Sequence, residues 1–199
     1  MKYPHWYYFV ALSEDLEATS RYVEFDPENF TTYSTEFGRI ILAACSEIDV
    51  AAKLLCGRIN AGAKAENIVD YMTVITGAYR SFPTIEVAMR RYDIATVPWE
   101  SWSSSGSPTW WKKYNSIKHE RDKHYREASL KNAIDSVAGL AVVVAHLYHD
   151  ELSSHRFNPV PNFIFVAPRY SQGSVMHAQP SYHLPDFPQR QLTPPPRTK

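Results

Sequence analysis

Cysteine is scarce in this chain of 199 residues, and its placement excludes a disulfide framework. The only two cysteines, Cys45 and Cys56, lie in one segment of helical periodicity. A rise of about 1.5 Å per residue puts their Cα atoms about 16 Å apart, whereas a disulfide needs less than about 7 Å. We therefore expect two free thiols and a reducing, cytoplasmic location.

Long apolar runs and an excess of one charge are also missing. The most apolar stretch, Ala133 to Tyr148, contains Asp135 and is shorter than the about 20 residues of a membrane span, so we predict a core helix and no membrane partner. An aromatic N-terminus followed by Glu14 and Asp15 does not fit a secretion signal. Since 21 Lys and Arg balance 21 Asp and Glu, any contact with nucleic acid needs a local basic patch.

Several catalytic and metal-binding motifs are absent from the sequence. It contains no Gly-rich phosphate loop, Gly-x-Ser-x-Gly elbow, Cys-x-x-Cys or His-Glu-x-x-His, which leaves kinase, hydrolase and zinc-protease functions without support. His146 and His149 lie close together and His124 adds an imidazole, but a third clear ligand is missing. We expect neither a metal nor another cofactor.

What the sequence does contain is helical periodicity in four segments. We predict a helix for each: Ser34 to about Asn60, about Glu66 to Tyr79, Ser107 to about Glu127, and Leu130 to about Leu152. Ser34 has N-cap chemistry, and Ser107 before Pro108 matches an N-cap with proline at the first helical position. The last segment is apolar nearly all round, as central helices are. The fold class is therefore mainly α, a helical bundle of about four helices.

Short peripheral strands are predicted beside this bundle, because Ile85–Met89 and Tyr92–Val97 alternate loosely between apolar and polar residues. Residues 1–33 are predicted as an aromatic N-terminal segment that packs on the bundle. Within it, Tyr3 to Leu12 suits a short strand or an aromatic lid.

The helical domain is predicted over residues 34–157, and residues 158–199 follow it. That last part has one strand-like run, Phe163 to Val166, and is then dense in proline and polar residues. From about Ser171 we expect an extended C-terminal tail, because it has too little apolar surface to offset its own ordering entropy.

The most informative stretch, residues 110–126, changes from aromatic to densely charged along one predicted helix. Asn115 and His119 are four residues apart and therefore share a face. Charged residues continue or flank this face: Lys118, Arg121, Asp122 and Arg126. The neighbouring aromatic residues either stack on bases or pack a loop onto the bundle, and we favour packing: Trp99, Trp102, Trp110, Trp111 and Tyr114.

These residues resemble the HEPN superfamily of small helical bundles, which occurs in prokaryotic toxin and phage-defence systems and in guided-RNA nucleases. The family motif is Arg, then Asn or Asp, then three variable residues, then His. Asn115 and His119 match the second and last positions, while Tyr114 stands at the position of the Arg. The resemblance covers roughly Ser34 to Leu152 and rests on helix order and this one short motif.

The resemblance implies metal-independent cleavage of RNA by a homodimer. In the family, the His acts as acid or base while a ribose 2′-hydroxyl attacks the adjacent phosphate, the Arg stabilises the developing charge, and the polar residue orients the pair. His119 suits this role, because an imidazole with a pKa of about 6.5 serves as acid or base near neutrality. Tyr114 carries no positive charge, so Lys118 or Arg121 would have to replace the Arg.

Glu47 raises a related question, because it falls near the apolar face of the first predicted helix. A buried carboxylate is costly unless it is paired, so we expect Glu47 to meet a cation of another helix, Lys118 or His119. Alternatively, Glu47 lies at the edge of the apolar stripe and reaches water.

Two functions remain open from the sequence alone. The first is a HEPN-like protein that engages RNA and either cleaves it or only binds it. The alternative is a non-enzymatic helical scaffold whose aromatic segment or proline-rich tail, around Pro194 to Arg197, binds a protein partner. In that case the face of Asn115 and His119 is only a solvated surface held by side-chain pairs.

Overall fold

Seven α-helices, five short 3-10 helices and three short strands lie in the part of the chain that the computed structural model describes, residues 2–153 and 165–167. The helices are α1 (Pro4–Thr19), α2 (Thr35–Ile59), α3 (Ile68–Ala78), α4 (Thr109–His119), α5 (Arg121–His124), α6 (Leu130–Leu147) and α7 (His149–Ser153). The strands are β1 (Glu86–Met89), β2 (Ile94–Thr96) and β3 (Phe165–Ala167). The predicted mainly α fold is confirmed.

The centre of the fold is α6, which packs on α1, α2 and α4. It is apolar nearly all round because bundle neighbours surround it, as predicted for a central helix. Among the described helices, α6 alone is long and apolar enough to cross a membrane by length and composition, yet 83% of that span is buried inside the protein. We therefore assign it as a core helix.

The long helix α2 forms as its sequence predicts. The Ser34 hydroxyl accepts a hydrogen bond from the Phe37 N–H at 3.1 Å, which satisfies one of the free donors at the start of the helix. Its apolar stripe faces α1 and α6, and both cysteines lie on it as buried free thiols. The prediction of two unpaired cysteines is confirmed.

The N-terminal segment is helical, so the predicted strand or lid over Tyr3 to Leu12 is wrong. Helix α1 begins with Pro4 at its first position and buries Trp6, Phe9 and Leu16 against α2 and α6. These residues follow helical spacing, but the density of aromatic residues, which favour strands, obscured the pattern. Helix α1 thus joins α2, α4 and α6 in the bundle, while α3 packs on α2 at its side.

The observed boundaries of α4 and of the last predicted helix differ from those predicted. Helix α4 begins at Thr109 with Pro108 as N-cap, and it ends at His119 rather than near Glu127. Ile117 is its last buried residue and Ala128 is the next one in the chain, so the charged residues between them have no apolar side chain to hold a helix on the core. The last predicted helix is likewise split at Tyr148 into α6 and α7.

The three strands form one antiparallel sheet in the order β2-β1-β3. Val87 pairs with Thr96 on one side and with Val166 on the other, and its side chain is buried in the core. Asp93 takes the left-handed conformation, with φ 51°, in the turn between β1 and β2. The two predicted strands are confirmed, β3 overlaps the predicted run at Phe163–Val166, and the predicted tail after Ser171 lies outside the described residues.

Candidate functional site

Helix α4 is held against the bundle by its aromatic first turn. Trp110 is buried, and its indole N–H donates to the Pro98 carbonyl at 2.8 Å. Gly139 of α6 lies directly below this ring, because a Cβ atom there would come within 2.9 Å of the Trp110 ring. The absence of a side chain at Gly139 therefore sets the close approach of α4 to α6.

The tryptophans around α4 pack in the core, as the sequence analysis favoured. The Trp99 indole N–H donates to the Gly139 carbonyl at 3.1 Å, and the Trp99 ring contacts both Trp102 and Trp110. All these rings, with Trp111 and Tyr114, are at most 7% exposed. Their contribution is packing that fixes α4, and base stacking by these rings is excluded by their burial.

The opposite side of α4 and the turn after it form a charged surface. Nine side chains between residues 112 and 126 are exposed, and we call them the α4–α5 surface: Lys112, Asn115, Lys118, His119, Glu120, Arg121, Asp122, Lys123 and Arg126. Five carry a positive charge and two a negative charge. The neutral chain therefore has a local basic patch of the kind that contact with nucleic acid needs.

Asn115 and His119 both lie on this surface, one helical turn apart on the face that points away from the core. Within the described residues, neither side chain has a hydrogen bond or an ion pair, so both remain available to a ligand. His119 is the last residue of α4.

Tyr114 points the other way. Its ring is 7% exposed and contacts Trp111, with ring centroids 5.2 Å apart. The Lys118 Nζ lies 5.5 Å from the Tyr114 ring centroid, so a cation stands beside the position that the family motif gives to Arg. Tyr114 itself is a packing residue in this structure.

Four cations of the α4–α5 surface have no carboxylate partner among residues 2–153: Lys112, Lys118, Arg121 and Arg126. Lys123 differs, because it pairs with Glu120 at 2.5 Å. An exposed ion pair of this kind contributes little to stability. It does neutralise the charge of Lys123 on this surface. The four unpaired cations are therefore the groups that a polyanion would contact first.

The expected stripe from Asn115 through Asp122 to Arg126 is wrong, because α4 ends at His119 and the backbone of Glu120 leaves the helix. Asp122 lies in the one-turn helix α5, and Arg126 lies in the 3-10 turn that follows. The Arg126 guanidinium sits over the ring of Tyr33, 5.9 Å from its centroid. Asn115 and His119 still share one face, and the later residues join them only as neighbours on the surface.

A partly buried cluster of Lys113, His124 and Glu127 anchors this surface, and the sequence analysis did not predict it. Lys113 of α4 donates to Glu127 at 2.8 Å, and the His124 ring contacts the same carboxylate oxygen at 3.3 Å. Burial acts to raise the pKa of Glu127, but hydrogen bonds from Lys113 and His124 outweigh it, so the pKa is lowered. His124 and Glu127 show a helical spacing in the sequence, whereas the contact of Lys113 with Glu127 depends on the break after α4.

Glu47 does not meet Lys118 or His119, so that expectation is wrong. Its carboxylate accepts a hydrogen bond from the ring of His5 at 2.6 Å, and both side chains are largely buried. The reason is α1: this helix was not predicted, and it occupies the side of α2 on which Glu47 lies. The sequence predicted that the Glu47 carboxylate is paired, but it did not predict that the partner is His5.

A polar cleft of about 370 Å³ lies elsewhere, between the β1–β2 hairpin and the first turns of α4 and α6. Lys131 pairs with Asp135 at 2.5 Å, and the Thr96 hydroxyl donates to Asp135 at 2.7 Å. Lys131 and Thr96 therefore both satisfy the Asp135 carboxylate. The cleft does not include Asn115 or His119.

Metal ligands do not cluster in the described ranges, which contain no group of three or more His, Cys, Asp or Glu that could hold an ion. Comparisons with known protein families, with curated proteins and with solved structures find no match. The α4–α5 surface and the short motif within it are therefore the features from which a function can be inferred.

Proposed function

We propose that this chain is a HEPN-like protein that engages RNA through the α4–α5 surface. The observation that supports this most is the concentration of four exposed, unpaired cations around Asn115 and His119 in a chain of zero net charge. Phosphate contacts supply most of the affinity of such surfaces. The HEPN assignment, with a role in a prokaryotic toxin or phage-defence system, rests on the resemblance.

In the proposed reaction, His119 is the acid or base for attack of a ribose 2′-hydroxyl on the adjacent phosphorus. Its ring is exposed and has no partner among the described side chains, so a substrate can reach it. Asn115, one turn earlier, would orient the phosphate or the imidazole. The 2′-hydroxyl gives up its proton as its oxygen bonds to phosphorus, the bond to the 5′-oxygen breaks, and the leaving oxygen takes up a proton, so that no net proton is gained or lost.

The positive charge for the phosphate would come from Lys118. Its ammonium group already lies over Tyr114, next to the motif position of the missing Arg, whereas Arg121 lies beyond the break at Glu120. A Lys provides one point charge where an Arg provides a bidentate fork. We therefore expect slower cleavage than a complete family motif would give.

Cleavage and binding can be separated in one experiment. Purified protein is incubated with end-labelled RNA in the presence of a chelator, and products are analysed for a 2′,3′-cyclic phosphate end. We expect His119→Ala to lower the rate about 10² to 10⁴-fold. Asn115→Ala should lose less, because an orienting group transfers no proton.

Binding is followed on the same RNA by fluorescence anisotropy. Lys118→Ala and Arg121→Ala should weaken binding, while Lys64→Ala, an exposed lysine between α2 and α3, is the matched control. Binding without cleavage would identify a protein that has kept the surface and lost catalysis through Tyr114. If the wild type neither cuts nor binds RNA, the proposal is wrong.

A second candidate, a scaffold that binds a protein partner, is favoured by two apolar side chains on α2. Val50 and Leu54 are one turn apart and are 45% and 46% exposed. If the scaffold function is correct, Val50→Ser with Leu54→Ser should abolish partner binding and lower the free energy of unfolding by no more than about 2 kcal/mol, because both side chains are nearly half exposed. An RNA-binding function predicts that this double variant binds RNA like the wild type.

A further inference from the structure

Tyr33 is an exposed aromatic side chain beside the α4–α5 surface. Within the described part of the chain, the exposed tyrosines are Tyr8, Tyr22 and Tyr33, at 44%, 88% and 43%. The Tyr33 ring contacts a residue of the α4–α5 surface, because the Arg126 guanidinium lies over it, 5.9 Å from the ring centroid. Arg126 is itself exposed. An accessible aromatic ring therefore adjoins the cations of this surface.

The backbone around Tyr33 is fixed to the start of α6. Tyr33 forms an isolated β-bridge with Ser129, which is the N-cap residue of α6. The Thr32 carbonyl accepts a hydrogen bond from the Leu130 N–H at 2.8 Å. Because the central helix of the bundle holds this backbone, the position of Tyr33 is set before a ligand arrives. Less conformational entropy is then lost when a ligand binds.

The ring of Tyr33 is also supported from one side. The Tyr125 ring packs edge-on against it, with ring centroids 5.7 Å apart. Tyr125 is half-buried, and its hydroxyl is hydrogen-bonded to the Thr35 hydroxyl at the start of α2. Tyr33 thus rests on a neighbour that two helices hold in place, while 43% of its own surface stays open. Proteins that bind single-stranded nucleic acid use rings of this kind, on which bases stack.

The place of this ring suits the reaction proposed for His119. Arg126 directly precedes Glu127, and the Glu127 carboxylate binds Lys113 of α4 at 2.8 Å. Lys113 and His119 lie about 9 Å apart along the axis of α4, given a rise of about 1.5 Å per residue. The turn that carries Arg126 is therefore tied to the helix that carries His119, and one RNA strand can contact both His119 and Tyr33.

We infer, resting on the proposed RNA-binding function, that Tyr33 and Arg126 form a subsite for one unpaired base of an RNA strand whose phosphates lie on the α4–α5 surface. The base stacks on the open part of the Tyr33 ring. Bases of a duplex are already stacked on each other, so the subsite selects a single-stranded segment. Attack by the 2′-hydroxyl at His119 has the same requirement, because the strand must be free to align the attacking oxygen with the leaving oxygen.

Base stacking is strong enough to compete with the contact that Arg126 already makes. A base stacked on an aromatic side chain contributes about 5- to 140-fold in affinity. An exposed cation–π contact contributes about 2- to 5-fold. Stacking on Tyr33 is therefore favoured even where the base displaces the Arg126 guanidinium. A guanidinium displaced in this way stays beside the strand and can bind one of its phosphates.

The test compares a 16-nucleotide single strand with a 16-base-pair duplex by fluorescence anisotropy over a series of salt concentrations. Both are 2′-O-methyl RNA, which lacks the attacking hydroxyl and is not cleaved. Tyr33→Ala should weaken binding of the single strand about 5- to 140-fold and leave its salt slope unchanged, because stacking involves no charge. The affinity for the duplex should not change. Tyr33→Phe should bind like the wild type, since it keeps the ring.

Three further variants separate the ring from charge and from folding. Tyr8→Ala removes a tyrosine of nearly equal exposure from α1 and should leave binding unchanged. Lys118→Ala should weaken both ligands and lower the salt slope for the single strand by about 0.7. Tyr33→Leu keeps an apolar side chain without a ring, so it replaces Tyr33→Ala if that variant does not fold, and the same loss is expected.

Two other outcomes overturn the inference in different ways. If the Tyr33 variants without a ring bind the single strand as tightly as the wild type, or weaken the duplex to the same extent, no base stacks on Tyr33. The subsite is then wrong, although RNA binding stands. If Lys118→Ala binds both RNAs as tightly as the wild type, the proposed function fails together with the inference.

Discussion

At the scale of single residues, Gly139 decides how closely α4 approaches the centre of the bundle. Most helical glycines cost stability relative to alanine, because glycine loses more backbone freedom on folding. At this position, however, the Trp110 ring fills the space that a Cβ atom would need. That ring cannot yield easily, since its N–H is bound to the Pro98 carbonyl and the side chain is buried.

We predict that Gly139→Ala destabilises the protein by about 1–3 kcal/mol, because the new methyl group overpacks the contact between α4 and α6. Gly57→Ala in α2 is the matched control, since a Cβ atom there meets nothing within 4 Å. The control should be neutral or stabilising by up to about 1 kcal/mol. Urea denaturation of the two variants measures both effects, and equal stabilisation by both would contradict the assigned contact.

The two thiols give a second prediction at this scale. Burial raises the pKa of Cys56 to about 11 and that of Cys45 well above its usual value. Neither thiol should react with a thiol reagent at pH 8 in the folded protein, and both should react in concentrated urea. Rapid modification of the folded chain would show that α2 opens locally.

The same pKa shifts determine whether the free energy of unfolding rises or falls at alkaline pH. Because the folded chain holds these thiol protons more tightly than the unfolded chain, the stabilising contribution is complete below about pH 9 and is lost as the pH rises toward 11. Burial and a hydrogen bond to Asp49 raise the pKa of Tyr71 as well, which acts in the same direction. We expect the free energy of unfolding to fall over this range.

The state and partners of single residues were predicted correctly where they depend on nearby residues in the sequence, and incorrectly where they depend on a distant partner. The free cysteines and the cap at Ser34 follow from spacing and chemistry within one helix. The pairing of Glu47 with His5 joins residues that are 42 positions apart, and no local pattern encodes it. Whether Asn115 and His119 form a catalytic pair stays a prediction.

At the scale of helices and strands, the contact of Lys113 with Glu127 joins α4 to the turn that leads into α6. Asn132 extends this link, because its side-chain amide donates to the Glu127 carbonyl at 2.8 Å. The α4–α5 surface is therefore held at both ends, by the tryptophans at the start of α4 and by Glu127 after its end. Arg121 and Asp122 lie between these two anchors.

We predict that Glu127→Gln costs about 1 kcal/mol of stability at pH 7, because Lys113 loses its charged partner. The pKa of Glu127 is lowered in the folded chain, so its contribution is present above the usual carboxyl pKa of about 4.5 and disappears as the pH falls further. The stability difference between the variant and the wild type should therefore be smaller at pH 3 than at pH 7. Glu14→Gln, at an exposed position outside any described contact, is the control and should change stability little at either pH.

Helices were predicted correctly where their apolar periodicity is strong. Helix ends were predicted incorrectly where contacts with the core, and not the residues of the helix itself, determine where the helix stops. Helices α2 and α6 follow their periodicity closely. Helix α1 was missed because its aromatic residues favour strands locally, while packing on α2 and α6 makes them helical. The end of α4 depends on the lack of a buried residue between Ile117 and Ala128, a feature that becomes visible only once the core is known.

At the scale of the whole molecule, the net charge is zero, but the charged side chains are unevenly distributed over the surface. The α4–α5 surface is basic, so the same surfaces of two subunits repel each other when brought face to face. A family-type dimer through this face should therefore associate more strongly as added salt screens the charge, or when bound RNA neutralises it.

Light scattering at low and high salt, with and without RNA, measures this association. We predict a larger apparent mass at 0.5 M salt than at 0.02 M salt and, with RNA bound, a mass that accounts for two protein chains in each complex. Lys118→Glu should reduce the salt dependence, because it removes one repulsive charge and adds an attractive one. A dimer that is equally stable under all conditions would contradict an interface through α4.

The pairing of β3 with β1 has a consequence for biosynthesis. The β1–β2 hairpin is complete once Thr96 has been made, but the second partner of β1 lies at residues 165–167. At about 5–20 residues per second, the ribosome needs about 4 to 14 s to make the 71 residues from Val97 to Ala167. During that time one edge of β1 is unpaired, and a two-stranded hairpin alone is marginally stable. The nascent chain thus exposes a strand edge to aggregation in this interval, which ends when β3 covers the edge.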